Sequence, residues 1–342
     1  MASLREIKDH IGSVRSTLKI TSAMKLVSSA KLRKAQQAAE GIRPYTEALA
    51  QMLAEVCAQN GGFYAREAEK QGVRAQNGPF YAPTVMPSEA KGSKVAIVAV
   101  ASNSSLCGAF NVNVVRRVLD EVAALKKDGA EVEVFSVGRK VAEAMRKAGM
   151  PSPADYTDLV GRNTFDKSAA FAQNLIDAYN SGRYSRILFI YNHFVSTSTQ
   201  KVQIEQYLPF SAVPAGVGFP SDTAATLGTL RGRGPSQMGG VEQSETVEEG
   251  KLATSREGEN EFILEPSREE ILATLLPQVM RLRVHTVLLD SIAAEHAARM
   301  LAMQTASDNA EDLLGELTLE YNKGRQQKIT SEILDLVGGA QQ

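Results

Sequence analysis

The chain has 342 residues, with 38 Lys and Arg against 39 Asp and Glu, a formal net charge of -1 and 43% hydrophobic residues. That length allows more than one domain, and the composition excludes collagen-like, disulfide-rich and wholly disordered classes. The only two cysteines, Cys57 and Cys107, form no CxxC motif and suit a reducing compartment, and no apolar run reaches the length of a membrane span.

The first element is a long helix. Ser3 and Glu6 form a capping box, in which each side chain satisfies the other residue's backbone N–H. From there Leu4, Ile7, Ile11, Val14, Leu18, Thr21, Lys25, Ser28, Leu32, Ala35, Ala39, Ile42, Thr46, Leu49, Leu53 and Val56 keep one heptad register to the helix end near Ala58, with a bend expected at Gly41 and Pro44. The small net charge hides an asymmetry. Arg5, Lys8, Arg15, Lys19, Lys25, Lys31, Arg33 and Lys34 face only Glu6 and Asp9 in this stretch. Such a basic rod either pairs with acids of a second helix, Glu311, Asp312 and Glu316, or awaits an acidic partner, with nucleic acid and anionic lipid as competitors. The helix signals begin at residue 3, and nothing before them resembles a leader sequence.

Residues 60–93 carry turn residues and no lasting period, and read as a linker. KVAIVAV (94–100) is a continuous apolar run suited to a strand buried on both faces. VVRRVLDEVAALKK, EVEVFSV and RKVAEAMRKAG then read as helix, strand and helix. TDLV (157–160) reads as a weak strand, Asp166 to Tyr179 as a helix, and RILFIYNHF and TQKVQIEQYLPF as two strands around Val195–Thr199. Alternation of this kind predicts an α/β domain over 94–210, parallel at first, with an antiparallel hairpin at its edge. Residues 211–262 are rich in Gly, Ser, Thr, Pro and Glu, and read as a flexible insertion.

The last element, within 263–342, is the longest. Ser267 and Glu270 form a second capping box, and Gly338-Gly339 mark the stop. Leu275, Val279, Leu282, Thr286, Leu289, Ala293, His296, Met300, Met303, Ser307, Ala310, Leu314, Leu317 and Tyr321 alternate by threes and fours, and Met280 reads as seam packing too. A helix of roughly 100 Å outruns any compact domain and needs a partner along its length. The terminal helices flank a compact middle, so they are expected to pair antiparallel as a left-handed coiled coil. The second helix is the longer, so Ile329, Ile333, Leu336 and Val337 form a single apolar tip beyond Met1.

Signals for chemistry are weak. The loop after the first strand, Ala101–Gly108, has neither the GxGxxG spacing nor GxxxxGK[ST], so a nucleotide site is disfavoured. Cys107 lacks a histidine at a diagnostic spacing and reads as a buried thiol. His285 and His296 are not spaced as a helical metal pair, and His296 on the seam reads as a satisfied core histidine. No metal site, cofactor or catalytic residue is expected.

Two stretches carry a family resemblance. ARMLAMQTASDNAEDLLGELTLEYNKGRQQKITSEILDLVGGA resembles the carboxyl-terminal signature of the gamma subunits of F-type ATP synthases, and IKDHIGSVRSTLKITSAMKLVSSAKLRKAQ resembles their amino-terminal signature. SSLCGAFN resembles the loop after their first sheet strand, although Asn103-Ser104-Ser105 stands where that family usually has Asp-Arg-Gly, and Gly324 stands where alanine is common.

The resemblance implies a non-catalytic rotor subunit of the bacterial type. Its coiled coil would turn inside the ring of alpha and beta subunits, while its α/β domain, of Rossmann-like layout, rests with the epsilon subunit on the membrane c-ring. It implies that Arg325, Gln326, Thr330 and Glu332 engage the beta and alpha subunits. Met24, Lys25 and Arg299 would form a neck contact, and Glu265 a foot beside the c-ring. It further implies a peripheral location on the cytoplasmic face of the inner membrane, with no nucleic acid bound and no direct membrane insertion. The rival readings are a coiled-coil linker that binds nucleic acid through its basic helix, and an α/β enzyme with coiled-coil arms.

Overall fold

A computed structural model describes residues 3–58, 94–161, 163–209 and 268–339. The elements are α1 (Leu4–Ala58), β1 (Lys94–Val100), α2 (Phe110–Lys127), β2 (Glu131–Val137), α3 (Arg139–Lys147), α4 (Asp158–Gly161), α5 (Phe165–Asn180), β3 (Arg186–Phe194), β4 (Gln200–Leu208) and α6 (Arg268–Gly339). The expected linker (60–93) and insertion (211–262), Ser267 and Glu265 lie outside the described residues.

The two terminal helices pack against each other antiparallel. The capping box forms at the start of α1, where Ser3 N donates to Glu6 Oε2 (2.8 Å) and Glu6 N to Ser3 Oγ (3.3 Å). Every expected seam residue of α1 whose side chain is described, from Leu4 to Leu53, is buried or half-buried, and the helix passes through Gly41 and Pro44 without interruption. The register can be read along the rod. Leu49 and Leu53 cluster with Leu276 and Val279; Leu32 and Ala35 with Ala293 and Ala297; Thr21 and Ser307 share a buried 2.8 Å hydrogen bond; and Leu4 lies against Gly324. Alanines at the middle layers let the backbones approach, and the hydroxyl pair favours one register, because a slip would cost the buried Ser307 hydroxyl its acceptor, whereas Thr21 also donates to the Leu18 carbonyl of its own helix (3.1 Å). With Leu4 opposite Gly324, residues 325–339 continue as a single helix about 20 Å long.

The four strands form one sheet in the order β2-β1-β3-β4, with β1 parallel to β2 and β3, and β4 antiparallel to β3. β1 is buried on both faces, as a continuous apolar run requires. Val95, Ile97 and Ala99 pack with Val114, Val118 and Val122 of α2 and with Val141 and Met145 of α3. Ala96, Val98 and Val100 face Phe171, Leu175 and Ile176 of α5, together with Met280, Val284 and Leu288 of α6. The long terminal helix is therefore also one of the helices covering the sheet.

Two expectations are corrected here. TDLV is not a strand: Thr157 is a turn residue whose N–H donates to Asp155 Oδ1 (2.9 Å), and Asp158–Gly161 form a helical turn that buries Leu159. A short apolar run does not distinguish strand from helix, and here a local aspartate turn decides. Met280 is wholly buried beneath the sheet, where its carbonyl accepts the Tyr207 hydroxyl at 3.2 Å, and so belongs to the domain core.

Candidate partner interface

The residues expected to meet partners fall into three settings. Arg325, Gln326, Thr330 and Glu332 lie within two turns of the single-helix extension of α6, and all are exposed. Thr330 bonds back to the Gln326 carbonyl (2.9 Å), and Glu332 pairs loosely with Lys328 (3.8 Å). Around them Ile329, Ile333 and Leu334 are 46%, 54% and 65% exposed, which leaves an apolar strip open at the end of the rod. The side chains of Leu336 and Val337 lie outside the described residues. A single exposed helix carrying both apolar and polar groups offers contact on every side.

Met24 and Lys25 are half-buried on α1, near the Thr21–Ser307 bond. Beside them Ile20, Leu26 and Val27 are more than half exposed. The eight basic residues of the first 34 have no ion pair with α6 among the described residues, and Glu311, Asp312 and Glu316 are exposed without one. Internal neutralisation of the basic rod is thus corrected: apart from Lys25, which stands on the seam, the heptad pattern puts those charges on faces that point away from it.

Arg299 is placed otherwise. It is 8% exposed, and its guanidinium bonds Glu295 Oε1 (2.7 Å), Ser104 Oγ (2.7 Å) and the Ser105 carbonyl (3.4 Å). Burial of such a cation is tolerated because a carboxylate and two further acceptors surround it. Arg299 therefore braces the loop after β1 to the shaft. Where the family usually has Asp-Arg-Gly, this chain has Asn103, which donates to the Thr157 carbonyl (2.8 Å) and accepts from Arg139 N (2.9 Å), and Ser104, which accepts from Arg299.

That loop is shaped by close packing. At Gly138 a Cβ would lie 2.1 Å from the Ala101 carbonyl oxygen, and φ is +112°, so only glycine fits. The first N–H groups of α3 are taken by Ser102 O and Asn103 Oδ1, so this helix start does not offer them to an anion. Cys107 is buried beside Asn111 Nδ2 (3.1 Å).

The two histidines of α6 differ. His285 Nδ1 and Ser168 Oγ are hydrogen-bonded at 2.7 Å inside the domain, and burial lowers the pKa of the ring. His296 sits on the seam as expected, but its Nδ1 has no partner among the described residues, so it is not a satisfied core histidine. Burial, reinforced by the charges of Arg299 and Lys31, lowers its pKa to about 4 and keeps it neutral at physiological pH.

Sequence reasoning missed the second stripe of α6. Met280, Val284, Val287, Ser291, Ala294 and Ala298 are all buried on faces other than the seam. The available signal was that between Leu275 and Ala298 apolar residues stand off the seam as well as on it, at Met280, Val284, Val287 and Leu288, which implies burial on more than one side.

Comparison with known proteins agrees with this architecture. A family profile described as ATP synthase matches residues 3–342. The chain is 39% identical over 343 residues to the ATP synthase gamma chain of Bacteroides thetaiotaomicron, with 100% of both chains covered. It is 38% identical over 341 residues to that of Flavobacterium psychrophilum, covering 100% of this chain and 99% of the relative. Among solved structures, a chain of the Euglena gracilis mitochondrial ATP synthase OSCP/F1/c-ring assembly shares the fold at a TM-score of 0.52 and 18% identity, with 98% of this chain and 92% of that chain covered. Two long terminal helices wound antiparallel, a four-stranded sheet roofed by one of them, and full-length identity to these relatives lead to one conclusion: the chain belongs to the ATP synthase gamma-chain family.

Proposed function

We propose that this chain is the central rotor shaft of an F-type ATP synthase and is itself non-catalytic. The observation that carries this reading is the shape of the rod: two unlike helices wound together, then one helix alone, joined at the other end to a compact domain. Such a shaft has no rotational symmetry, so its faces present different surfaces in turn to subunits arranged around it, while coiling stiffens it against bending. In this reading the exposed tip residues Arg325, Gln326, Thr330 and Glu332 meet the alpha and beta subunits. Met24 and Lys25 meet them lower down, and the unpaired basic face of α1 lies against acidic surface. The α/β domain and Glu265 stand with the epsilon subunit on the c-ring, whose proton-driven rotation the shaft carries to the catalytic ring. In this reading the chain is held peripherally through the complex, on the cytoplasmic face of the bacterial inner membrane; no described helix is long and apolar enough to cross a membrane.

A reversible tether tests this. With Cys57 and Cys107 changed to Ala, a cysteine is introduced by Gln326→Cys, and a second on the beta-subunit surface nearest it in the assembled complex. A rotor joined to a stationary subunit should stop hydrolysing ATP on oxidation and recover on reduction. Quantitative cross-linking with undiminished hydrolysis would overturn the rotor reading.

A further inference from the structure

The covalent links between domain and coil run through residues 59–93 and 210–267, so the joint described between them is noncovalent. Its apolar part, Leu276, Met280, Val284 and Leu288 beneath the sheet, resists separation. Hydrophobic burial has no direction, however, so its resistance to a helix sliding along its groove or turning in it rests on the interlock of side chains alone. Directional bonds set that position. Tyr207, Glu205, His193, Gln173, Ser168 and Ser104 all bond to α6.

The His193–Asp290 pair stands apart among these. His193 is 3% exposed, and its Nδ1 lies 2.6 Å from Asp290 Oδ2, while Asp290 Oδ1 accepts the Phe194 N–H at 3.1 Å. Two bonds from one carboxyl to adjacent residues of the strand restrain both axial and angular play. β3 is hydrogen-bonded to β1 and β4, so a force on Asp290 reaches the whole sheet. About two turns away, Arg283 pairs with Glu205 of β4 at the rim of the joint. A carboxyl here is costly, since burial raises the pKa of Asp290 against the pull of His193 and the Phe194 N–H, and the neighbouring positions Val287 and Ala294 are apolar. An apolar residue would stabilise the packing at least as well, which singles out position rather than stability as what the pair provides.

We infer that His193 and Asp290, flanked by Arg283 and Glu205, are the positioning residues of the joint that carries torque between the α/β domain and α6 of the shaft. The inference rests on the rotor reading above.

The test uses the assembled complex in sealed vesicles, measuring ATP hydrolysis and ATP-driven proton uptake as an opposing proton gradient builds. Wild-type hydrolysis should slow against the gradient and recover with an uncoupler. Asp290→Asn and His193→Gln should hydrolyse within about twofold of wild type when uncoupled, slow little against the gradient, and move about threefold fewer protons per ATP. A merely structural role would lower the yield of complex and leave that ratio unchanged. Should both variants fail to assemble, Arg283→Gln at the rim decides, with about half the wild-type ratio expected. A wild-type ratio and gradient response in every variant that assembles would overturn the joint. A wild-type complex that hydrolyses without pumping would overturn the rotor reading, and the joint with it.

Discussion

The base and the tip of α6 are one continuous helix in opposite circumstances. From Leu276 to Met300 it lies between α1 and the sheet and is buried or half-buried at nearly every position; from Arg325 to Leu334 it stands alone and every position is exposed. Helix propensity does not separate the two segments, since both contain good helix formers. What separates them is what each touches. The base is held by two packed faces and by bonds to several elements of the domain, so it is built to stay in place. The tip keeps Ile329, Ile333 and Leu334 uncovered within its own chain, which in the proposed reading leaves them for contact with other subunits.

The largest effect should come from putting one carboxylate into each segment. Leu289→Asp buries an unpaired charge on the seam and should lower the stability of the chain by about 4 kcal/mol, whereas Leu334→Asp should change it by less than about 0.5 kcal/mol. Urea unfolding of the two variants beside wild type measures the contrast, and equal losses would show the tip to be packed.

A smaller effect follows from the neutral seam histidine. The pKa of His296 is lowered from its ordinary 6.5 to about 4, so between those values the unfolded chain binds the proton and the folded chain does not. The stability from a neutral His296 is complete above its unfolded pKa and is lost as pH falls through the folded one. Allowing for partial exposure, that loss is ~2 kcal/mol. Melting temperatures should therefore fall less steeply between about pH 7 and pH 4 in His296→Leu than in wild type.

The smallest effect concerns the boundary between coil and tip. A Cβ at Gly324 would lie 3.0 Å from Leu4 Cδ2, the end of a half-buried side chain in the first turn of α1, which has room to give. Gly324→Ala gains about 1 kcal/mol of helix propensity and loses part of it to that shift, so a net gain of about 0.5 kcal/mol is expected. A fall in melting temperature would mean that Leu4 is locked in place, and that the coil is tighter at its last layer than along its length.

The coil was legible because a heptad is local information: each seam position from Leu4 to Leu53 follows from its own spacing, whatever lies across from it. The strands Lys94–Val100, Glu131–Val137 and Arg186–Phe194 were legible for the same reason, as apolar or alternating runs bounded by turn residues. Thr157–Val160 was misread because four residues are too few to show a period, and the aspartate turn at Asp155 outweighed their strand-like composition. The tip residues could be picked out by resemblance alone. Their exposure, by contrast, depends on where α1 begins relative to Gly324.

By itself, then, the sequence determined that two terminal helices pair along one stripe each, that an α/β layer lies between them, and to which family the chain belongs. Local periodicity and local signatures suffice for that. Only the tertiary structure decided that α6 also roofs the sheet, that Arg299 turns inward to the loop at Ser104, and that His193 and Asp290 meet. Residues 97 and 195 positions apart in the chain come within 2.7 Å of each other because sheet order and helix register bring them there, and neither can be read from the spacing of residues within a single element.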